Sequence, residues 1–177
     1  MIERLFELTQ LDSGRVKYHS EVFPLEELAA DVLNRISVKA EHNNVTLELI
    51  SDNQLPLVQA DPVRIGQVLQ NLLDNAIKFN GDGGHVWLHL EPADDGVVIA
   101  VSDDGKGISQ EDLPHVFERF YTADKSRTSK GQGSGLGLAI AHTIVEAHQG
   151  ELTVESRKPG NGAVFRFTLP AAVLDAD

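Results

Sequence analysis

An α/β domain is what this sequence predicts, on three observations. Apolar residues recur at helical spacing through residues 24–43, 61–79 and about 137–148. Short runs of strand character lie at 45–50, 85–91, 97–101, 151–156 and 163–169. Turn chemistry separates the segments, with Asn43-Asn44, Asn80-Gly81-Asp82-Gly83-Gly84 and Pro159-Gly160-Asn161-Gly162 at the breaks. At 177 residues and 41% hydrophobic, the chain can bury about 70% of its unfolded surface in one core.

Composition narrows the function classes. A net charge of −12 argues against a nucleic-acid surface, where lysine and arginine must neutralise phosphates. Cysteine is absent, which removes both a disulfide framework and a thiol nucleophile. No apolar run reaches membrane-spanning length, and no signal-peptide pattern precedes the first helix. A cytoplasmic setting without direct membrane contact is therefore expected.

The first 13 residues read as the end of an amphipathic helix, with Ile2, Leu5, Phe6 and Leu8 apolar and Gly14 as the stop. They resemble the stump of a longer helix, although a short frayed terminus would look the same. In the helix from Pro24, Leu25, Leu28, Val32 and Ile36 supply a packing stripe. Val45–Ile50 alternates as a strand, and 51–56 reads as a polar turn.

The helix over Asp61–Phe79 is the most informative. Asp61 can cap its free amides, and Pro62 suits the first helical position. Ile65, Val68, Leu69, Leu72, Leu73, Ala76 and Ile77 form one apolar stripe. Asn71, Asn75 and Lys78 gather within roughly 60° on a neighbouring face. Taken alone, that polar stripe also fits an ordinary solvated face. In the strand after it, Val86, Leu88 and Leu90 face one way and His85, Trp87 and His89 the other. Two histidines without a nearby third ligand fit a solvated face better than a metal site.

The strand at 97–101 runs into Ser102-Asp103-Asp104-Gly105-Lys106-Gly107-Ile108. Gly105 and Gly107 allow close backbone approach to a ligand, and Asp103 can accept a hydrogen bond from an amino group. An ordinary Asp-Gly turn fits the same residues. Ser109 with Asp112 resembles a capping box, and Phe117 and Phe120 can serve as core aromatics. From Arg119 to Lys130, four basic residues (Arg119, Lys125, Arg127, Lys130) stand against Asp124, a net charge of 4 − 1 = +3 in an acidic chain. A mobile basic loop suggests an anionic ligand, although a merely solvated loop remains open. The loop ends in Gly131-Gln132-Gly133-Ser134-Gly135-Leu136-Gly137, which opens a helix and offers unpaired N–H groups to phosphate. Spacing excludes a P-loop, a dinucleotide fingerprint and the protein-kinase glycine loop.

In order and spacing, NLLDNAIKF, DDGKGI, FERFY and GSGLGL resemble the N box, first glycine box, F box and second glycine box of the sensor histidine kinase ATP-binding domain. The resemblance implies a two-layer α/β sandwich, a mixed sheet covered on one face by helices. It divides the chain into residues 1–20, the end of a dimerisation hairpin helix with its linker, and residues 21–172, the catalytic ATP-binding domain. It implies ATP and Mg²⁺ as ligands, with Asn75 and Asn71 on the metal and phosphates and Lys78 on phosphate. Asp103 would read the adenine amine, with Gly105, Gly107 and Ile108 beside it and Phe79 next to the nucleotide. Residues 117–133, Phe120 included, would be the lid, and Gly133, Gly135, Leu136 and Gly137 the turn beside the phosphates. Many members carry an arginine after FERFY, whereas Thr122 stands here; Arg119, Lys125 and Arg127 are the candidates to replace it.

The family transfers the γ-phosphoryl group to a histidine in an H-[DE]-x-x-x-P-like context, and none of the seven histidines here has one. The resemblance thus implies a protein-histidine kinase domain whose acceptor hairpin lies outside this sequence, in a parent kinase that forms a homodimer and serves a response regulator. Two alternatives stand beside it. An ATP hydrolase of the gyrase and Hsp90 type would keep a glutamate base where Asn71 stands. A nucleotide-binding sensor without catalysis would tolerate Thr122.

Overall fold

A computed structural model describes residues 2–14, 16–52, 54–123, 134–156 and 161–173. Four α-helices and seven strands run in the order α1 (Ile2–Asp12), β1 (Glu21–Phe23), α2 (Leu25–His42), β2 (Thr46–Ser51), β3 (Val58–Ala60), α3 (Pro62–Phe79), β4 (His85–Ala93), β5 (Gly96–Asp103), α4 (Gly137–Ala147), β6 (Leu152–Ser156) and β7 (Ala163–Pro170) among the described residues. A 3-10 turn covers Leu113–His115.

The main sheet has the order β2-β4-β5-β7-β6. β2 and β4 pair in parallel and the other neighbours are antiparallel, so the sheet is mixed. Its register puts Val86, Leu88 and Leu90 beside Val101 and Ile99, and these beside Phe165 and Phe167. All are buried. They form one apolar face on which α3 and α4 lie, giving two layers. The opposite face carries Trp87, His89 and Arg166, with an Arg166–Glu155 ion pair at 3.0 Å.

Helix α3 starts as its sequence predicts. Asp61 accepts hydrogen bonds from the N–H groups of Val63 and Arg64 at 3.0 and 3.2 Å, with Pro62 at the first position. Asp61 is itself held from two sides. Its other carboxylate oxygen accepts from the His19 N–H at 2.9 Å, and its own N–H donates to His148 Nε2 at 3.1 Å. His148 Nδ1 then donates to the Ile144 carbonyl at 2.8 Å. The start of α3, the end of α4 and the segment after α1 meet at one buried joint.

One feature differs from the sequence expectation. Strands β1 and β3 pair as a second, two-stranded sheet that periodicity did not reveal, because three residues are too few to show a period of two. In the turn after α4, Gln149 adopts the left-handed region, at φ 60°. The core runs from Leu8 and Leu11 of α1 through α2, α3 and α4 to the sheet.

Candidate functional site

A cavity of about 570 Å³ opens where α3, the end of β5 and the start of α4 converge, a size that suits a small-molecule ligand. Burial of Ile65, Leu69, Leu72, Leu73 and Ala76 against the sheet turns the neighbouring face of α3 into this space. Asn71, Asn75, Lys78 and Phe79 line it together. The Phe79 ring has two ammonium groups near it, Lys78 Nζ and Lys106 Nζ, each 4.8 Å from its centroid. Both lie within cation–π range.

Asp103 closes β5 on the core-facing side of the sheet, in register with Val86 and in phase with Val101. Burial pushes its carboxyl above the ordinary carboxylate value, against the lowering effect of hydrogen bonds from the Gly105 and Ala163 N–H groups. The Gly105 N–H donates to Asp103 Oδ1 at 2.9 Å. Glycine is required there by close approach, since a Cβ at 105 would lie 2.6 Å from the Phe79 carbonyl oxygen and 2.9 Å from Asp103 Oδ1. Gly105 thus cinches the carboxylate turn against the end of α3 and does not itself line the cavity. Gly107 and Ile108 do.

The far wall is the segment 134–138. Gly135 adopts φ 67°, and a Cβ on it would come within 2.7 Å of the Phe120 backbone carbonyl carbon. The Phe120 N–H donates to the Gly135 carbonyl at 2.9 Å. The F box therefore clasps the second glycine box through backbone. The Phe120 side chain is 54% exposed and does not line the cavity, so it is not the core aromatic that spacing allowed. Phe117 takes that place, packing edge-on to Phe165 with centroids 6.2 Å apart. Gly137 brings α4 close to α3, its Cβ position lying 3.4 Å from Asn71 Oδ1.

Among the described residues, two buried polar side-chain atoms lack a hydrogen-bond partner, Asn71 Nδ2 and Ser134 Oγ. Both residues line this cavity. Orphaned buried donors are costly unless a ligand completes them. A hydroxyl and an amide N–H both suit an anionic oxygen.

Of the residues expected from sequence, Asn71, Asn75, Lys78, Phe79, Asp103, Gly107, Ile108, Gly135 and Gly137 line the cavity. Arg119 and Leu136 do not; Arg119 is exposed, and the Leu136 side chain is fully buried in the core. Lys125, Arg127 and Gly133 lie outside the described residues. The cavity also holds residues the sequence reading passed over. Lys106 and Ser134 sit inside the quoted boxes and were available to it. Tyr121 and Asp112 are joined by a 2.5 Å hydrogen bond from the tyrosine hydroxyl, which with neighbouring acids pushes the Tyr121 pKa up to about 12. Lys39 of α2, paired with Asp74 of α3, and Arg4 of α1 arrive from distant sequence and carried no local signal. Four cations (Arg4, Lys39, Lys78, Lys106) face three carboxylates (Asp74, Asp103, Asp112) among the described lining residues, 4 − 3 = +1, in a chain of net charge −12. The cavity is electropositive relative to its surroundings, which favours an anion.

Comparison with known proteins agrees with this geometry. Residues 60–173 match the family described as histidine kinase-, DNA gyrase B-, and HSP90-like ATPase. The sensor histidine kinase WalK of Bacillus subtilis is 34% identical over 172 residues, covering 96% of this chain and 28% of WalK. The catalytic domain of the histidine kinase ThkA superposes with a TM-score of 0.76 at 34% identity, covering 86% of this chain and 96% of that domain. A larger ThkA structure, solved in complex with the response regulator protein TrrA, gives a TM-score of 0.75 at 30% identity, with 97% and 48% coverage. Full-length ShkA in complex with AMPPNP gives 0.87 at 28% identity, covering 99% of this chain and 36% of ShkA. The chain spans 19% to 43% of the length of such curated relatives. The family match over residues 60–173, the 34% identity with WalK along 96% of the chain and the superposition on the ThkA catalytic domain place this chain in the histidine kinase-, DNA gyrase B- and HSP90-like ATPase family, as a catalytic ATP-binding domain of the sensor histidine kinase type.

Proposed function

We propose that the chain binds ATP with Mg²⁺ in this cavity and directs the γ-phosphoryl group to a histidine on a hairpin of its parent kinase, a cytoplasmic event in a homodimer that serves a response regulator. ThkA, whose structure with the response regulator protein TrrA resembles this chain, supports the last element by analogy. The observation that carries the proposal is the pair of orphaned buried donors set in one cavity with Lys78 and the part-buried Asp103.

Each residue has a role its chemistry suits. Asp103 accepts from the exocyclic amine of adenine, and Phe79 offers an apolar wall. Asn71 Nδ2 and Ser134 Oγ donate to phosphate oxygens, and Lys78 adds a point charge. Asn75 presents a hard amide oxygen; together with phosphate oxygens and water it suits Mg²⁺, an ion that relies little on dedicated protein cages. Mg²⁺, when bound, neutralises and orients the phosphate oxygens. In the transfer itself, the acceptor imidazole nitrogen forms a bond to the γ-phosphorus as the bond to the β-γ bridging oxygen breaks, and ADP departs with that electron pair. Positioning and charge neutralisation supply the catalysis, so no protein base has to activate water. Asn71 cannot act as such a base, which favours a kinase over a hydrolase.

The test is phosphotransfer in trans. Incubated with labelled Mg²⁺-ATP, the chain should place acid-labile phosphohistidine on a separate cognate hairpin and none on itself. Rapid steady ATP turnover abolished by Asn71→Ala would point instead to a hydrolase. Tight ATP binding without any transfer would mark a degenerate sensor.

A further inference from the structure

Two of the cavity's cations, Lys39 and Arg4, come from outside the four sequence boxes, and Lys39 is held by Asp74. Arg4 stands on α1, in the part of the chain outside residues 60–173 that match the ATPase family. We propose that Arg4 binds the phosphate tail of the nucleotide and thereby couples the docking of α1 to nucleotide occupancy. The proposal rests on reading the cavity as an ATP site.

Helix geometry delivers Arg4 there. Leu8 and Leu11 of α1 are 1% and 6% exposed. Arg4 precedes them by four and seven residues, which puts it on the same face of the helix. Burying those leucines therefore turns Arg4 toward the domain. Glu7 sets the register, because its Oε1 accepts from Arg64 Nη1 at 2.7 Å and from Gln67 Nε2 at 2.9 Å. Stepping back along α1 from Glu7 to Arg4 covers about 4.5 Å, and stepping forward along α3 from Gln67 to Asn71 covers about 6 Å. Arg4 and Asn71 line the same cavity, as an antiparallel course of α1 along α3 requires.

Two buried donors lining the cavity lack a partner among the described residues. Asn71 Nδ2 and Ser134 Oγ are the orphaned donors, and Gly137 brings the start of α4 against Asn71. Arg4 has no hydrogen-bond or ion-pair partner among the described residues, whereas Lys39 is held by Asp74. A guanidinium fork matches phosphate bidentately, which a solvated ammonium does not. Coupling is reciprocal: whatever factor Arg4 adds to ATP affinity, ATP returns to the docked state of α1.

The experiment measures binding of Mg²⁺-ATP and of adenosine by calorimetry to the wild-type chain, Arg4→Gln and Arg4→Lys, with hydrogen exchange of residues 2–12 followed in parallel. Arg4→Gln should weaken ATP about tenfold, leave adenosine affinity unchanged, and abolish an ATP-induced gain in α1 protection. Arg4→Lys should recover part of the ATP affinity. Equal ATP affinity of wild type and Arg4→Gln overturns the proposal while the ATP reading stands. An equal loss for ATP and adenosine also overturns it, by assigning Arg4 a packing role. Failure of the wild type to bind either ligand removes the ATP reading and the proposal with it.

Discussion

Asp103 is asked to do two opposed things. In the proposed role it accepts a hydrogen bond from an amine, which an ionised carboxylate does more strongly than a neutral one, yet burial raises its pKa above the usual 3.8. The fold therefore holds its proton more tightly than the unfolded chain does. The stability this contributes is present in full below the unfolded pKa and is lost as pH rises through the folded pKa. Asp103→Asn, which keeps an oxygen for the Gly105 N–H and removes the charge, should accordingly raise the melting temperature of the ligand-free chain at neutral pH. The same variant should lose about tenfold to hundredfold in ATP affinity, the worth of a charge-assisted hydrogen bond. Wild-type affinity should decline on acidification at a higher pH than an unperturbed aspartate would give, and more steeply than that of the Asn variant, which keeps only the ligand's own titration. Binding titrations between pH 4 and pH 8, read beside thermal unfolding curves, check both halves; a variant less stable than wild type at pH 7 would contradict the first. Asp103 was legible in the sequence because its glycine partners follow it within a few residues. Arg4 was not, since only the packing of α1 brings it to the cavity.

Among the elements, α3 bears most of the structure and the site together. One side packs eight residues, Ile65 through Ile77, against the sheet and the other helices, while the adjoining side presents Asn71, Asn75 and Lys78. Helical periodicity makes both faces readable from sequence, because a 3.6-residue repeat over 18 residues repeats five times. The joint at its start was only half readable. Asp61 was foreseen as a cap, but its bonds to His19 and His148 join residues 42 and 87 positions apart, and no local pattern encodes them. Asp61→Ala should therefore cost more than a surface cap. Loss of the cap costs about 1 kcal/mol, and loss of the His19 bond about 1 kcal/mol more. A urea titration should show about 2 kcal/mol of destabilisation with an unchanged slope. A loss below about 0.5 kcal/mol would mean that the joint adds nothing.

At the scale of the whole molecule, the cavity exists because three elements end at one place: the α3 C-terminal half, the end of β5 and the start of α4. A ligand that completes Asn71 and Ser134 should stabilise the fold by mass action, by about 2.7 kcal/mol at a hundredfold excess over its Kd. Thermal unfolding with and without Mg²⁺-ATP should show that gain in the wild type. Asn75→Ala should lose most of it while its ligand-free melting temperature stays close to wild type, since Asn75 is only partly buried. An undiminished gain in that variant would remove Asn75 from the binding site. The sequence by itself determined the α/β class, the three longer helices, the five longer strands and the box residues, because each is a local pattern of period, cap or turn. Tertiary structure alone decided the pairing of the short strands β1 and β3, the exposure of Phe120, the buried Asp61–His148 joint and the arrival of Lys39 and Arg4 in the cavity. Those depend on contacts between residues far apart in the chain, whose free energy is set by packing geometry and burial, and neither is written in any single stretch of sequence.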